Sequence, residues 1–248
     1  MQACRPSLRC RMPLSRWLGG GRPGLRDRVV KALQQARDGD ADGAIDTIAE
    51  RFSEALAELR SLRQPVDSGW LRLAARLAYR AANMSAAADF AQQALTREED
   101  AATWNLLGRL RLWLDDKGAP AAFARAAELA PDVFPVPYRV KRDRFTRMAE
   151  VALAAIPETF QEQLTNTMIV VDDLPDLEAV REGEDPDLLG LYEGATVLEH
   201  GLPERIVLYQ RNHENIVSNE QELAEQVQET MRHEVGHHFG MEENELPY

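Results

Sequence analysis

The sequence predicts an α+β protein: an N-terminal all-α array of helical hairpins, followed by a small domain that mixes helices and strands. Three observations support this prediction. Residues 1–140 contain 21 Lys and Arg against 17 Asp and Glu, whereas residues 141–248 contain 8 against 24, so the two parts differ in composition. Apolar residues of the first part recur at helical spacing, and two of its tryptophans stand 34 residues apart. Beyond Pro157 the apolar runs are short and rich in β-branched residues, which favours strands.

The boundary between the two parts lies in a proline-rich linker. Three prolines fall between residues 131 and 137, and proline cannot continue a helix. We therefore predict a disordered basic extension at residues 1–23, helical repeats at 24–137 and an acidic α+β domain at 141–248. The extension lacks the apolar run of a secretory signal, although an organellar transit peptide would share its arginine-rich, acid-poor composition.

Trp70 and Trp104 each open a similar helical pattern, and an earlier helix pair is predicted at residues 25–40 and 41–62. The second pattern resembles the tetratricopeptide repeat in its order of tryptophan, leucine–glycine, alanine, phenylalanine, alanine and proline, at Trp104, Leu107, Gly108, Ala119, Phe123, Ala126 and Pro131. Phe123 is expected to fill the groove between neighbouring pairs. The resemblance implies a stack that docks a protein partner, and a rigid spacer that supports the second domain is the alternative.

The second domain is predicted to run helix, three strands, helix. A helix is expected from residue 143 and ends before Pro157, and the strands are expected in "NTMIVVDD", "LLGLYEG" and "ERIVLYQ". The final helix, residues 218–239, opens with Ser218 and Gln221 in a capping-box arrangement. Its expected buried stripe consists of Leu223, Val227, Thr230 and Met231. The histidine cluster "HEVGHH" therefore falls at the C-terminal end of a helix.

His233 and His237 are spaced to bind one metal ion. Residues four apart share a helix face, so the two imidazoles can hold a divalent cation such as Zn²⁺ at about 2.0–2.1 Å. Glu234 is turned by about 100° from His233 and suits a general base acting on water. The spacing H-E-x-x-H is typical of zinc hydrolases.

A third ligand is expected after the helix. Gly240 can end the helix and reverse the chain, which would bring Glu243 back toward the histidines. Glu243 then stands where the pattern H-E-x-x-H-x-x-G-x-x-H has its third ligand. Glu242, Glu245 and the terminal carboxylate are alternatives. His238 is expected to face away from the metal, because adjacent side chains on a helix diverge.

From about residue 145 to 244 the chain resembles the small zincin-like metallopeptidases of bacteria, also described as minimal metzincin-like proteases. The matching stretches are "FTRMAEVALAAIPETFQEQL", "TMIVVDDLP", "LLGLYEG", "LPERIVLYQ" and "RHEVGHHFGMEE". The resemblance implies a zinc-dependent peptidase, with His233 and His237 as ligands, Glu234 as catalytic acid/base and a carboxylate after the glycine. That family commonly has aspartates there, one methylene shorter than the glutamates of this chain.

Other residues receive subsidiary predictions. Tyr192 and Tyr209 are possible oxyanion donors, although packing is the commoner role of strand tyrosines. His200 and His213 are expected in turns at the surface. An extended peptide or protein substrate would pair with an edge strand, either "LLGLYEG" or "RIVLYQ".

Composition limits the classes of binding partner and indicates a cellular compartment. The acidic second domain argues against nucleic acid, and no apolar run reaches the roughly 20 residues of a membrane helix. Both cysteines lie in the extension, which fits a reducing cytoplasm. Two alternatives stay open: a catalytically idle fold that serves as an interaction scaffold, and a zinc-dependent ribonuclease, for which a basic surface would be expected.

Overall fold

The computed structural model describes residues 24–162, 164, 167–194 and 204–239 of the chain. Within these residues seven helices come first, and five further helices with a three-stranded sheet follow, which confirms the predicted α+β class. The basic extension, residues 1–23, lies outside the described residues. In the part of the chain that the structure covers, no helix combines the length and the apolar character needed to cross a membrane.

The N-terminal array is built from helices that pack on their neighbours in sequence: α1 (Leu25–Arg37) on α2 (Ala41–Ile48), α4 (Ser68–Arg80) on α5 (Met84–Arg97) and α6 (Ala101–Trp113) on α7 (Ala119–Leu129). Aspartate or asparagine side chains accept a backbone N–H at the start of α2, α4, α5 and α6, which satisfies part of each exposed helix end. Helices are confirmed in this region, while their assignment to the tetratricopeptide repeat stays a prediction. The remaining helix of the seven is α3 (Phe52–Ser61).

The helix predicted over residues 41–62 is wrong as a single element, because the chain breaks it into α2 and α3. Ala49 and Arg51 have φ angles of 66° and 63°, in the left-handed region where an α-helix cannot continue. The carbonyl of Ile48 accepts a hydrogen bond from Arg28 Nη1 at 2.7 Å, so a side chain of α1 satisfies the end of α2. The apolar spacing runs through the break, which explains why the pattern conceals it.

Phe123 fills space within its own helix pair, which corrects the predicted position between pairs. A Cβ at Gly108 would lie 2.8 Å from the Phe123 ring, so only glycine lets α6 and α7 approach this closely. The ring is 2% exposed.

The second part of the chain contains the predicted helix, strands and final helix, each within a few residues of its expected bounds. Three additional helices have six residues or fewer, too short for apolar periodicity to reveal them. In chain order the elements are α8 (Arg142–Ala154), α9 (Glu158–Gln161), β1 (Thr167–Asp172), α10 (Leu177–Glu182), β2 (Gly190–Glu193), β3 (Glu204–Tyr209), α11 (Gln210–Asn215) and α12 (Glu220–His238).

The central strand of the sheet is β3. It pairs in parallel with β1, where Thr167 lies opposite Glu204, and antiparallel with β2, where Gly190 lies opposite Leu208. The prediction that "RIVLYQ" could be an edge strand is therefore wrong. Among the described strands, β1 and β2 each have a neighbour on one side only, so of the two predicted segments "LLGLYEG" is the one that could accept a further strand.

The final helix α12 packs its apolar stripe against the sheet and against α8. Leu223, Val227 and Met231 are fully buried and Thr230 nearly so, as predicted. These side chains share a core with Phe145 of α8 and with inward-facing residues of β3. This packing fixes the rotation of α12, and with it the direction in which the following histidines point.

The start of α12 differs by one residue from the prediction. Asn219, rather than Ser218, is the N-cap, and its side chain accepts the N–H of Glu222 at 3.0 Å. The Glu222 carboxylate in turn accepts the backbone N–H and the hydroxyl of Ser218 at 2.8 and 2.9 Å. The first bond of a capping box is therefore present one position later than predicted, whereas the return bond reaches Ser218, the residue before the N-cap.

Candidate metal and catalytic site

His233 and His237 lie one turn apart near the end of α12 and converge on the same point. Their Nε2 atoms are 3.0 Å apart, and their ring centroids are 4.6 Å apart with planes at 82°. Both side chains are half-buried. The four-residue spacing produces this approach because 3.6 residues complete one turn.

Two imidazole nitrogens at this separation suit one zinc ion. Zinc binds imidazole nitrogen at about 2.0–2.1 Å with tetrahedral geometry, which places two such nitrogens about 3.3 Å apart. The observed separation of 3.0 Å differs from that value by a few tenths of an ångström. The residues present therefore fit the predicted metal as two of its ligands.

Glu234 is packed between α12 and β2 and is only 5% exposed. Its Oε2 accepts the backbone N–H of Tyr192 at 2.9 Å. The neighbouring ladder bond runs from the Tyr209 N–H to the Leu189 carbonyl at 2.8 Å. Backbone groups of an antiparallel strand alternate in direction, so the Tyr192 N–H points away from β3. The carboxylate is thus fixed at the outer side of β2.

Gly190 provides the space for this contact. A Cβ on Gly190 would lie 2.7 Å from Cγ2 of Thr230 and 2.9 Å from both Cγ and Oε1 of Glu234. Any side chain at this position would force β2 away from α12. The close approach of strand and helix, and hence the position of the Glu234 carboxylate, depends on the glycine.

His238 is directed away from the histidine pair, as predicted. Its Nδ1 lies 3.1 Å from the Tyr192 hydroxyl and 3.3 Å from Oε2 of Glu204, and its ring packs edge-on against Tyr192 and Phe239. Partial burial and the negative charge of Glu204 raise the pKa of Tyr192 above its usual value. The phenol therefore stays protonated at neutral pH, while its predicted role as an oxyanion donor stays a prediction.

His213 is fully buried, so its predicted surface position is wrong. Its Nδ1 lies 2.9 Å from the Tyr209 carbonyl and its Nε2 lies 3.0 Å from the Thr230 hydroxyl. The Phe145 ring packs against it at 5.4 Å between centroids. Burial lowers the pKa of His213 to about 4, so at neutral pH the ring is uncharged and donates only from Nδ1. It connects α11 to α12 from within the core.

The predicted third ligand lies outside the described residues. This applies to Glu243, to the turn residue Gly240, to the alternatives Glu242 and Glu245, and also to His200. Within residues 24–239, apart from the undescribed positions in that span, no group of three His, Cys, Asp or Glu side chains is placed to hold a metal. The identity of the third ligand stays a prediction.

Two contributions to the site were not predicted, the backbone N–H of Tyr192 and the glycine at position 190. A signal for the glycine was present, because a glycine inside a strand pattern indicates a close approach of another element. No sequence signal identifies the Tyr192 N–H as the partner of Glu234. The pairing depends on how β2 lies against α12, which only the tertiary structure fixes.

Comparison with protein families gave a match over the segment that contains the two histidines. Residues 164–248 match the family model described as zincin-like metallopeptidase, and this segment includes His233, Glu234 and His237. The match covers about a third of the chain and does not extend into the helical array. Comparison with curated proteins gave no match.

Proposed function

We propose that the second part of the chain, whose residues 164–248 match zincin-like metallopeptidases, is a zinc-dependent peptidase. The observation that supports this most directly is the 3.0 Å approach of the two Nε2 atoms of His233 and His237. Glu234, one residue after the first histidine, lies on the same helical turn, and its carboxylate is held by the Tyr192 N–H. Two converging imidazoles with an adjacent fixed carboxylate are what metal-assisted hydrolysis requires.

His233 and His237 would hold the ion, together with a carboxylate from the segment after α12. Glu243 is the proposed third ligand, and Glu242 and Glu245 are the alternatives. A bound zinc ion supplies a water of pKa near 7 and polarises the carbonyl of the scissile bond. The imidazoles bind the ion in their neutral form, so acidification would release the metal.

Glu234 would take the proton from the attacking water and pass it to the leaving amine. The Tyr192 N–H holds Oε2 of the carboxylate, so the group does not need to be ordered when the substrate binds.

The substrate would be a peptide or protein in extended conformation, paired with the outer side of β2. The backbone groups of Gly190 and the carbonyl of Tyr192 face this side of the strand, because they alternate with the groups that bond β3. The Tyr192 N–H faces the same side and is already bonded to Glu234. Glu234 meets β2 at Tyr192, and this contact marks the part of the strand beside which the scissile bond would lie.

The helical array would act as a docking module for the protein substrate or for a partner. Arrays of helix pairs provide extended surfaces for peptides, and the array here precedes the peptidase part without entering the matched family segment. Deletion of the array is expected to weaken cleavage of a folded protein substrate more than cleavage of a short peptide.

The test measures bound zinc and cleavage of a mixed peptide library for the native chain, Glu234→Gln, His237→Ala and a control. Glu229→Gln is a matched control, because Glu229 lies on the same helix and is exposed to solvent. We expect Glu234→Gln to keep zinc and lose cleavage, His237→Ala to lose both, and Glu229→Gln to keep both. Equal zinc in the native chain and Glu234→Gln, with no cleavage by either, would favour the idle scaffold instead.

A further inference from the structure

The loop that precedes β2 contacts the helical array through its side chains. β2 is the strand whose Tyr192 N–H binds Glu234. This loop, residues 185–188 with the sequence DPDL, lies between α10 and β2 and is here called the DPDL loop. On one side it is bound by Asn212 of α11, whose Nδ2 donates to the carbonyls of Pro186 and Leu188 at 3.0 and 2.8 Å. Asn212 is 4% exposed, so these bonds are protected from competition by water.

The helical array binds the same loop from the other side. The Asp187 carboxylate accepts a hydrogen bond from the Tyr79 hydroxyl at 2.7 Å and forms an ion pair with Nη1 of Arg109 at 2.7 Å. Arg80 forms a second ion pair with Asp185. Burial, followed by the charge of Asp187, raises the pKa of Tyr79 well above its usual value, so its hydroxyl remains a donor. Two helices, α4 and α6, therefore bind one loop through ion pairs and a hydrogen bond.

The loop leads directly into β2 and from there to Glu234. Leu189, the next residue, bonds the Tyr209 N–H through its carbonyl, and Gly190 then begins the strand. Only four residues make up β2, and among the described strands it pairs with β3 alone. A strand this short with one partner is weakly held by its own ladder. Besides its contact with α12, its position depends on the loop that precedes it.

We propose that the helical array is a positioning element for the candidate catalytic glutamate, acting through Asp187, the DPDL loop and β2. Asp187, Tyr79 and Arg109 are positioning residues: they hold the strand whose Tyr192 N–H binds Glu234. The effect of these contacts on catalysis rests on the proposed function, whereas the dependence of the position of β2 on them does not. This role for the array goes beyond docking, because it makes the geometry of the site depend on Tyr79 and Arg109, which lie outside the matched family segment.

A second link keeps the array in place when the Asp187 contacts are removed. The Arg139 guanidinium lies over the Phe123 ring of α7 at 5.4 Å and donates from Nη1 to Glu214 of α11 at 2.9 Å. This link reaches neither the DPDL loop nor β2. Loss of Asp187 should therefore release the strand without detaching the array.

The experiment compares amide hydrogen exchange in the full-length native chain, Asp187→Ala, Tyr79→Phe and a control. Glu99→Ala is the matched control, since it also removes a carboxylate paired with an arginine of the array, Arg125, but does so far from the loop in sequence. We expect exchange of the Tyr192 amide to rise about tenfold in Asp187→Ala, and by a smaller factor in Tyr79→Phe, which keeps the ion pair. Exchange in β1 should stay unchanged, as should exchange of the Tyr192 amide in the control.

Two results would overturn the coupling: an unchanged Tyr192 amide in both variants, or an equal rise in β1 and β2, which would mean general destabilisation. If Asp187→Ala does not fold, Tyr79→Phe decides alone, because it removes a single oxygen atom.

Bound zinc should be unchanged in both variants. Where the native chain cleaves peptides, Asp187→Ala should lower kcat more than it raises KM. Absence of cleavage in the native chain would refute the proposed function and leave the exchange result to decide the coupling.

Discussion

Acidification should destabilise the protein through His213, and replacing this residue by glutamine should remove that part of the effect. The imidazole is fully buried, and burial lowers its pKa from 6.5 to about 4. In the unfolded chain the pKa returns to about 6.5. Between these two values the unfolded chain binds a proton that the native protein does not, so the free energy of unfolding decreases as the pH falls.

The magnitude follows from the two pKa values. A difference of one in pKa corresponds to about 1.4 kcal/mol, so the contribution of His213 lowers the free energy of unfolding by about 3 kcal/mol between pH 7 and pH 4. The stabilisation is complete above about pH 6.5 and is lost as the pH falls through the native value of about 4. A loss of this size is a large fraction of the stability of a typical domain.

Urea unfolding followed by circular dichroism at pH 7 and pH 4 measures this contribution in the native chain and in His213→Gln. We expect the variant to lose about 3 kcal/mol less between the two pH values, even where lost hydrogen bonds make it less stable at pH 7. Carboxylates titrate alike in both proteins, so their contributions cancel in the comparison. An equal loss in both proteins would refute the assignment of His213 as a buried, neutral residue.

Three further substitutions test the packing around the site. Gly190→Ala should reduce the free energy of unfolding by about 1–3 kcal/mol in urea, because the new Cβ overlaps Thr230 and Glu234. Adding Thr230→Ser should recover part of the loss, since it removes the nearest methyl group and keeps the hydroxyl; no recovery would contradict the clash. Glu214→Ala should cost about 3–5 kcal/mol by the same measurement, because it leaves Arg139 facing a buried site without its carboxylate.

The elements that the sequence predicts correctly are those with a strong period. The apolar stripe of α12, from Leu223 to Met231, recurs over more than two turns. Each of the three strands is a short apolar run bounded by turn residues. The approach of His233 to His237 follows from the helix geometry alone, because both lie within one continuous helix. These features need no knowledge of what packs against them.

The features that the sequence does not predict depend on tertiary contacts. His213 lies in a six-residue helix directly after β3, and only the packing of α8 and α12 around it makes it buried. The break after Ile48 is hidden because the apolar spacing continues through it, while the decisive hydrogen bond comes from Arg28 on another helix. The central place of β3 could not be read from its residues, since it depends on β3 returning to pair with β1 after the intervening strand β2.

The hydrogen-bond partner of Glu234 is another feature that depends on tertiary contacts. A glutamate after the first histidine of the motif predicts a base beside a metal, but not which backbone group orients it. That role falls to Tyr192 because Gly190, two residues earlier, allows the strand to touch the helix. The motif thus specifies the reactive groups, and the packing of β2 specifies their orientation.

Zinc titration against a competing chelator tests the central claim most directly, with the native chain, His233→Ala, His237→Ala and His238→Ala. His238 is a matched control, because it lies on the same helix and its Nδ1 is directed toward Tyr192 and Glu204. We predict one tightly bound zinc ion in the native chain and in His238→Ala, and a loss of affinity of at least about 100-fold in the other two variants. No zinc binding by the native chain, or equal affinity in all four proteins, would contradict the account.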